Sequence, residues 1–129
     1  MKPHTRDLGK GGEERAARYL VEKGYRLLER NYTLRHGEID IIANDPAGTL
    51  VFVEVKTALT RAAGDPGYWV DKRKQAQVGR MAAAYLALRG ITDHACRFDV
   101  VTLQLDSGEA PEIRHYEDAF RLSYSIGCG

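Results

Sequence analysis

Apolar residues recur along the chain with two different periods, and these periods predict the order of helices and strands. Helical spacing predicts one helix from Gly12 to Lys23 and another from Asp71 to Arg89. Short runs rich in Val, Ile, Phe and Tyr predict strands at Tyr25 to Tyr32, Glu38 to Asn44, Thr49 to Ala58, Arg97 to Leu105 and, more briefly, Glu112 to Tyr116. The order α-β-β-β-α-β favours an α/β fold in which helices flank a central mixed sheet.

The segments between these elements carry turn-forming residues. The run Asn44-Asp45-Pro46-Ala47-Gly48 separates two apolar strands, so those strands are predicted to form an antiparallel hairpin. The segment from Leu59 to Tyr68 is predicted to be a loop and Asp106 to Pro111 a turn, while Ala119-Phe120 is expected to dock the end of the chain. The second helix is expected to bury one stripe, formed by Val78, Met81, Ala82, Tyr85 and Leu88.

The hairpin turn, centred on Ala47, determines which residues face each other across its two strands. This register pairs Asn44 with Leu50, Asp40 with Glu54, and Glu38 with Lys56. Because side chains alternate along a strand, the four charged side chains would share one face, and Ile39 and Ile41 would share the other.

The facing carboxylates of Asp40 and Glu54 are the first candidate for chemistry. Two carboxylates opposite each other on a sheet repel, at a cost of about 4 kcal/mol for ~4 Å and an effective dielectric near 20. A cation would remove this cost, and hard carboxylate oxygens favour Mg²⁺ or Mn²⁺. Lys56 beside them could hold a water, stabilise a phosphate or neutralise one carboxylate. The alternative is a solvent-facing hairpin with a cross-strand ion pair, and the hairpin pattern leaves both interpretations open.

One charged residue interrupts the apolar stripe of each helix near its N-terminus. Glu13 shares a stripe with Ala16 and Leu20, and Lys74 begins the stripe that continues through Val78, so both side chains are expected to point toward the sheet. Each also has a structural explanation. An acid near a helix N-terminus gains ~0.3–1 kcal/mol from the helix dipole, and a lysine can extend past the edge of a core.

Length and composition are typical of one folded domain spanning residues 1–129. Hydrophobic residues make up 43% and charged residues 29%. No apolar run approaches the ~18 residues that a membrane span needs, and the N-terminus lacks the apolar core of a signal peptide. Cys96 and Cys128 are far apart in sequence, which is a weak basis for a disulfide or a zinc site and favours a reducing cytoplasm.

The net charge of +1 is unevenly distributed. Residues 1–80 hold 15 Lys/Arg and 11 Asp/Glu, whereas residues 81–129 hold 4 and 7. A basic surface around an acidic pocket suits a polyanion held by its phosphates near a metal. Chance clustering on a solvated surface gives the same counts.

The acidic hairpin resembles a known nuclease signature. Asp40 followed by Glu54-Val55-Lys56 resembles the D…ExK pattern of the PD-(D/E)XK, or restriction-endonuclease-like, superfamily. A wider set of segments resembles the YraN family of predicted bacterial endonucleases, over about Gly9 to Leu122. These segments are Gly12 to Leu20, Gly24-Tyr25, Arg30-Asn31-Tyr32, Gly37 to Ala43, Val51 to Thr57, Lys74-Gln75, Arg97 to Val101 and Ala119-Phe120. Archaeal Holliday junction resolvases are similar in the same core elements.

The resemblance implies a restriction-endonuclease-like fold and a role for each matching residue. The metal ligands would be Asp40, Glu54, the Val55 carbonyl and Glu13. Lys56 would position or activate the attacking water, and Lys74 and Gln75 would steady the phosphate. One departure is Ala58, where the family usually has an arginine, so Arg61 from the following loop is the candidate replacement.

Further residues are candidates for contact with nucleic acid. The basic set is Arg30, Arg35, Arg61, Lys72, Arg73 and Lys74, with Arg80 as an addition. Tyr68 and Trp69 could stack on a base, although anchoring of the loop to the core explains them as well. His36 adjoins the acidic strand and could touch substrate, but an ordinary loop histidine is the favoured interpretation.

These observations favour an endodeoxyribonuclease that depends on Mg²⁺ or Mn²⁺. Its substrate is expected to be DNA, and branched or structured DNA is one candidate form. The protein is expected in the cytoplasm, without a membrane association, and a homodimer is one expected assembly because a duplex has two strands to cut. Two other classes stay open: a nucleic-acid-binding adaptor that keeps the nuclease fold without catalysis, and a purely structural or protein-interaction domain.

Overall fold

A computed structural model describes residues 5–35, 37–58, 70–104, 110–124 and 126–128, with side chains from residue 11 onward. Within these ranges the chain forms the elements α1 (Thr5–Glu22), β1 (Arg26–Leu34), β2 (Gly37–Asn44), β3 (Leu50–Ala58), α2 (Lys72–Arg89), β4 (Cys96–Gln104) and β5 (Glu112–Phe120). The predicted α/β class and element order are confirmed. No helix in the described part of the chain has the length and apolar character needed to cross a membrane.

The five strands form one mixed sheet in the order β1-β2-β3-β4-β5. β3 and β4 are parallel because α2 carries the chain back across the sheet, and the other neighbours are antiparallel. In the β2–β3 turn, Asp45 Oδ1 accepts hydrogen bonds from the backbone N–H groups of Ala47 and Thr49, each at 2.9 Å. This turn sets the predicted register, with Asn44 opposite Leu50.

The β2–β3 ladder ends before the predicted charged pairs. Its last pair is Ile41 with Val53, although both strands continue. The predicted pairing of Asp40 with Glu54 in the ladder is therefore wrong. The Asp40 side chain takes the place of a backbone acceptor there, because its Oδ2 accepts the Val55 N–H at 2.8 Å. The two strands thus separate around a carboxylate.

Each face of the sheet packs against one helix. The α2 side includes Phe52 and Ile39, and the α1 side includes Val53 and Ile41. Ile39 and Ile41 were predicted to share a face, so that prediction is wrong: regular alternation along β2 breaks next to Asp40. Each fully buried aliphatic side chain of these two cores contributes about 1.5–3 kcal/mol, which holds both helices firmly against the sheet.

Helix α2 has clear signals at both ends. The Asp71 side chain accepts the Lys74 N–H at 2.8 Å, and Gly90 takes the left-handed conformation, with φ 64°. The predicted buried stripe holds for Val78, Met81, Ala82 and Tyr85. Leu88, predicted to complete it, is 70% exposed, and Leu86 turns into the core instead.

A buried polar network ties β4 to β5, on the other side of β3 from Asp40. Asp99 is fully buried and accepts hydrogen bonds from Arg97 Nε at 2.9 Å and His115 Nε2 at 2.7 Å. Lys23 Nζ lies 3.1 Å from His115 Nδ1, and an ammonium can only donate, so the ring proton is on Nε2. Burial disfavours a charged Asp99, but these partners hold its pKa below the usual value.

Phe120 packs in the core, as expected for the end of the chain, but the sequence did not indicate that the residues after it return to β4. Strand β5 continues to Phe120, four residues beyond its predicted end. Cys128 then forms a β-bridge with His94 and a disulfide with Cys96, with Cα atoms 5.4 Å apart. The spacing of the two cysteines was a weak basis for this pairing, because a separation of 32 residues carries no sign of the return.

Candidate metal centre

Asp40 lies where β2 and β3 separate, and other acidic side chains converge on it. Its half-buried carboxylate is held by the Val55 N–H through Oδ2. One carboxylate oxygen from each of Glu13, Glu38 and Asp40 lies within 4.8 Å of the others. The predicted association of Glu38 with Lys56 is replaced by this carboxylate cluster, because the ladder ends before Glu38.

Glu54 is the most buried carboxylate of the site. It is 2% exposed, and its Oε1 has no hydrogen-bond partner among the described residues. Burial, with the negative charge of Asp40 as the second cause, raises the pKa of Glu54 to about 8, even though Lys74 and Lys56 act in the opposite direction. The Lys74 ammonium lies 3.9 Å from Glu54 Oε2, at the limit of an ion pair, and leaves Oε1 unsatisfied.

Glu13 reaches the site because α1 approaches β3 very closely. A Cβ at Gly12 would lie 2.2 Å from Thr57 Oγ1, so only glycine fits there without a shift. Glu13 is therefore brought beside Asp40. Burial, then the charges of Asp40 and Glu38, raise the pKa of Glu13 to about 7. As the interrupted stripe of the first helix predicted, this side chain points toward the sheet.

Two lysines and a glutamine were predicted beside the carboxylates. In the structure the two lysines lie near Glu54, but the glutamine does not contact the carboxylates. Lys74 and Lys56 both lower the pKa of Glu54 by their charge, so both lie near it. Gln75 is directed elsewhere: its Nε2 donates to the Val70 carbonyl oxygen at 2.9 Å. Gln75 therefore anchors the chain ahead of α2 in this structure. The backbone carbonyl of Val55 was predicted to be a metal ligand. The contact that the structure describes for Val55 is a hydrogen bond from its backbone N–H to Asp40.

The basic residues predicted to contact nucleic acid lie on two sides of the carboxylates. Arg30 Nη1 pairs with Glu14 at 2.8 Å, and its charge also lowers the pKa of Glu13. Arg35 is exposed at the end of β1, and Lys72 is exposed at the start of α2. Beside α2 a cavity of about 420 Å³ is lined by Asp71, Arg73, Lys74, Gln77 and Arg80. His36, Arg61, Tyr68 and Trp69 lie outside the described residues.

Glu38 and Asn31 belong to the site although neither was predicted as a functional residue. Glu38 was placed on the same face as Asp40, but its assumed partner was Lys56. The Asn31 side-chain amide lies 2.6 Å from Glu13 Oε2 and 3.0 Å from Glu38 Oε1. Asn31 has φ 50° inside a strand, and the available signal was its residue type, since asparagine tolerates this conformation better than most.

Together the site offers four carboxylates and two lysines. Glu13, Glu38, Asp40 and Glu54 supply oxygen ligands alone, which is the donor set that hard divalent cations prefer. Burial first, and then the negative charge of Asp40, raises the pKa values of Glu13 and Glu54, and a bound cation would favour the ionised form of both carboxyl groups. The arrangement can therefore hold a divalent cation at Asp40, with lysine ammonium groups beside it.

Comparison with known proteins identifies relatives along most of the chain. Residues 12–103 match the uncharacterised protein family UPF0102. A UPF0102 protein of Trichlorobacter lovleyi is 44% identical over 117 residues, covering 91% of this chain and 92% of the relative. One from Geobacter sulfurreducens is 45% identical over 121 residues, covering 94% of each chain.

Two solved structures resemble the chain more distantly. A repair endonuclease from Pyrococcus abyssi gives a TM-score of 0.44 at 18% identity, covering 84% of this chain and 42% of that one. SfsA from Pyrococcus furiosus, in complex with Ca²⁺, gives 0.40 at 16% identity, covering 88% and 63%. The family match and the identities of the bacterial relatives confirm the resemblance found in the sequence, and the chain belongs to the uncharacterised protein family UPF0102.

Proposed function

We propose that this protein is a divalent-metal-dependent nuclease that hydrolyses phosphodiester bonds of DNA. The observation that carries the proposal is Glu54, a carboxylate that is 2% exposed, lies beside Asp40 and has no hydrogen-bond partner for Oε1 among the described residues. A buried polar atom without a partner costs about 1–3 kcal/mol. A cation between Glu54 and Asp40 would satisfy both carboxylates.

The donor set supports Mg²⁺ or Mn²⁺ as the ion. Asp40 and Glu54 would hold it, with Glu13 completing the site directly or through water, as the family resemblance implies. Mg²⁺ is typically bound by one or two carboxylates and keeps several waters. When bound, such an ion polarises a phosphoryl oxygen and makes a coordinated water more acidic.

The two lysines support a reaction at a phosphate. Lys74 lies 3.9 Å from Glu54, and its ammonium would offset the negative charge that a phosphate brings to an acidic pocket. Lys56 is proposed to orient the attacking water, or to donate to a phosphate oxygen, from the strand that carries Glu54. Burial of Glu54 strengthens both electrostatic effects, because charges interact more strongly away from water.

The surrounding charge supports a nucleic acid as the substrate. Basic side chains lie on both sides of the carboxylates: Arg30 and Arg35 on or after β1, and Lys72 and Arg73 at the start of α2. The cavity beside α2 has three basic residues and one acidic residue in its lining. Phosphates held by such groups would pass close to Glu54, and DNA, including branched forms, is the proposed polymer.

A cleavage assay with matched variants tests this proposal. Wild type, Lys56→Met and Lys23→Met would be incubated with single-stranded, duplex and branched DNA in Mg²⁺, in Mn²⁺ and in chelator. Lys23→Met removes the same charge beside His115, outside the carboxylate site, and thermal melting shows whether each variant is folded. We expect metal-dependent cleavage by wild type and Lys23→Met, reduced by at least about 100-fold in Lys56→Met.

The same assay can also contradict the proposal. Metal-dependent cleavage that is unchanged in Lys56→Met would remove the proposed role of Lys56. If wild type cleaves none of the DNA forms in either metal, the nuclease proposal fails. Salt-sensitive DNA binding without cleavage would then favour the non-catalytic adaptor.

The proposed compartment is the cytoplasm, because the proposed substrate is DNA. A reducing cytoplasm would hold Cys96 and Cys128 as thiols, in spite of their proximity. Alkylation of intact cells followed by mass spectrometry tests this. Two alkylated cysteines are expected, and a protected pair would contradict the assignment.

A further inference from the structure

Asn31 has an unusual backbone for a residue inside a strand. Its φ of 50° places it in the left-handed region, although β1 runs from Arg26 to Leu34. Most residues pay about 1–2 kcal/mol for this conformation, and asparagine pays less. The side chain is therefore presented from an unusual angle, toward β2 and α1.

The Asn31 amide lies between two carboxylates of the candidate metal centre. It is 2.6 Å from Glu13 Oε2 and 3.0 Å from Glu38 Oε1. Carboxylate oxygens accept hydrogen bonds, so the amide end that faces both of them is the NH₂ group, which has two N–H donors. One donor for each carboxylate uses the full capacity of that group.

These contacts join three elements of the fold. Glu13 comes from α1, Glu38 from β2 and Asn31 from β1. Without a donor between them, Glu13 and Glu38 repel, and this repulsion is among the causes that raise the pKa of Glu13. A neutral amide holds both carboxylates toward Asp40 without neutralising them, whereas a lysine there would compete with a cation for the same oxygens.

We infer that Asn31 is a positioning residue of the metal centre, whose NH₂ group orients the Glu13 and Glu38 carboxylates toward a divalent cation at Asp40. The inference rests on the proposed metal binding. Glu38 would then help to hold the cation, either as a direct ligand or through a water molecule. Hydrogen bonds to ligating carboxylates fix their orientation, and loss of such a partner typically weakens metal affinity by 10–100-fold.

Asn31→Gly is the decisive variant, because glycine accepts the left-handed backbone and removes only the amide. Asp93→Gly is its control: Asp93 also has a left-handed backbone, with φ 53°, and lies exposed in the turn before β4. Each variant would be titrated with Mn²⁺ alone by calorimetry, and its fold would be checked by thermal melting. We expect Asn31→Gly to bind Mn²⁺ about 10-fold more weakly or worse, and Asp93→Gly to match wild type.

A second readout needs no metal. The Asn31 NH₂ resonances in a ¹⁵N–¹H spectrum should shift in Glu13→Gln and again in Glu38→Gln, because each variant changes the acceptor of one N–H. If Asn31 has only a structural role, a folded Asn31→Gly will bind Mn²⁺ with the affinity of wild type. That result would overturn the inference. Amide resonances unmoved by both glutamine variants also overturn it. If wild type binds no Mn²⁺, the metal proposal fails and the inference with it, so the two failures are told apart by wild type alone.

Discussion

The buried carboxylate of Glu54 should make stability depend on pH in a defined direction. In the unfolded chain this group has its ordinary pKa of 4.5, whereas in the folded protein burial and the charge of Asp40 raise the pKa to about 8. Between these values the folded state binds the proton more tightly than the unfolded state does. The free energy of unfolding must therefore fall as pH rises from 4.5 toward 8.

The magnitude follows from the two pKa values. At about 1.36 kcal/mol for each pH unit between them, the loss approaches an upper limit of about 4–5 kcal/mol. Glu54 is 2% exposed, so solvent screening reduces this figure little, although structural relaxation and water entry reduce it further. A loss of about 2–4 kcal/mol is a large share of the stability of a small domain.

The measurement is urea unfolding from pH 5 to pH 9 in chelator, for wild type, Glu54→Gln and Glu22→Gln. Glu54→Gln keeps the shape but cannot titrate, so its slope should be smaller than that of wild type across this range. The comparison uses the slope of the unfolding free energy against pH. The absolute free energy is not compared, because the unpaired amide introduced by Glu54→Gln changes it as well. Glu22→Gln, at the exposed end of α1, should retain the wild-type slope.

Two outcomes would refute this reasoning. One is a wild-type stability that does not fall between pH 5 and pH 8, and the other is the same slope in Glu54→Gln. Saturating Mn²⁺ provides a further check. A cation bound to the ionised carboxylate should flatten the wild-type curve and leave Glu54→Gln nearly unaffected.

Three other predictions follow from single contacts. Gly12→Ala should lower the free energy of unfolding by about 1–3 kcal/mol, measured by urea unfolding, because its Cβ would meet Thr57 Oγ1, and the added change Thr57→Ala should recover part of the loss. Reduction of the Cys96–Cys128 disulfide should lower stability by up to about 3–4 kcal/mol, the value for a loop of this length, while Mn²⁺ affinity by calorimetry stays unchanged. Lys74→Met should raise the pKa of Glu54 further, seen in the ¹³C carboxyl titration, because the ammonium 3.9 Å away currently lowers it.

Much of the fold could be predicted from the sequence because its signals are local. The turn from Asn44 to Gly48 set the register of the hairpin, and Asp71 and Gly90 lie at the two ends of α2 as helix-capping rules expect. The inward direction of Glu13 also followed from helical spacing. These features depend on residues within a few positions of each other, where periodicity is informative.

The missed features depend on contacts between distant segments. The β2–β3 ladder ends because the Asp40 side chain accepts the Val55 N–H, a competition with the backbone that alternation cannot indicate. The Cys96–Cys128 disulfide needs the chain to return toward β4 after the end of β5, and no local pattern marks this return. Asn31 meets Glu13 only through the packing of α1 against β1. Each of these requires the tertiary arrangement itself.

The central claim, that the carboxylates of the centre hold a divalent cation, is tested most directly by titrating Mn²⁺ into wild type and into the double variant Asp40→Asn/Glu54→Gln, with and without a short DNA duplex. Saturable binding by wild type that disappears in a folded double variant is the predicted result. Equal binding by both proteins, or no binding by wild type with or without DNA, would contradict the account and leave the converging carboxylates as a structural feature.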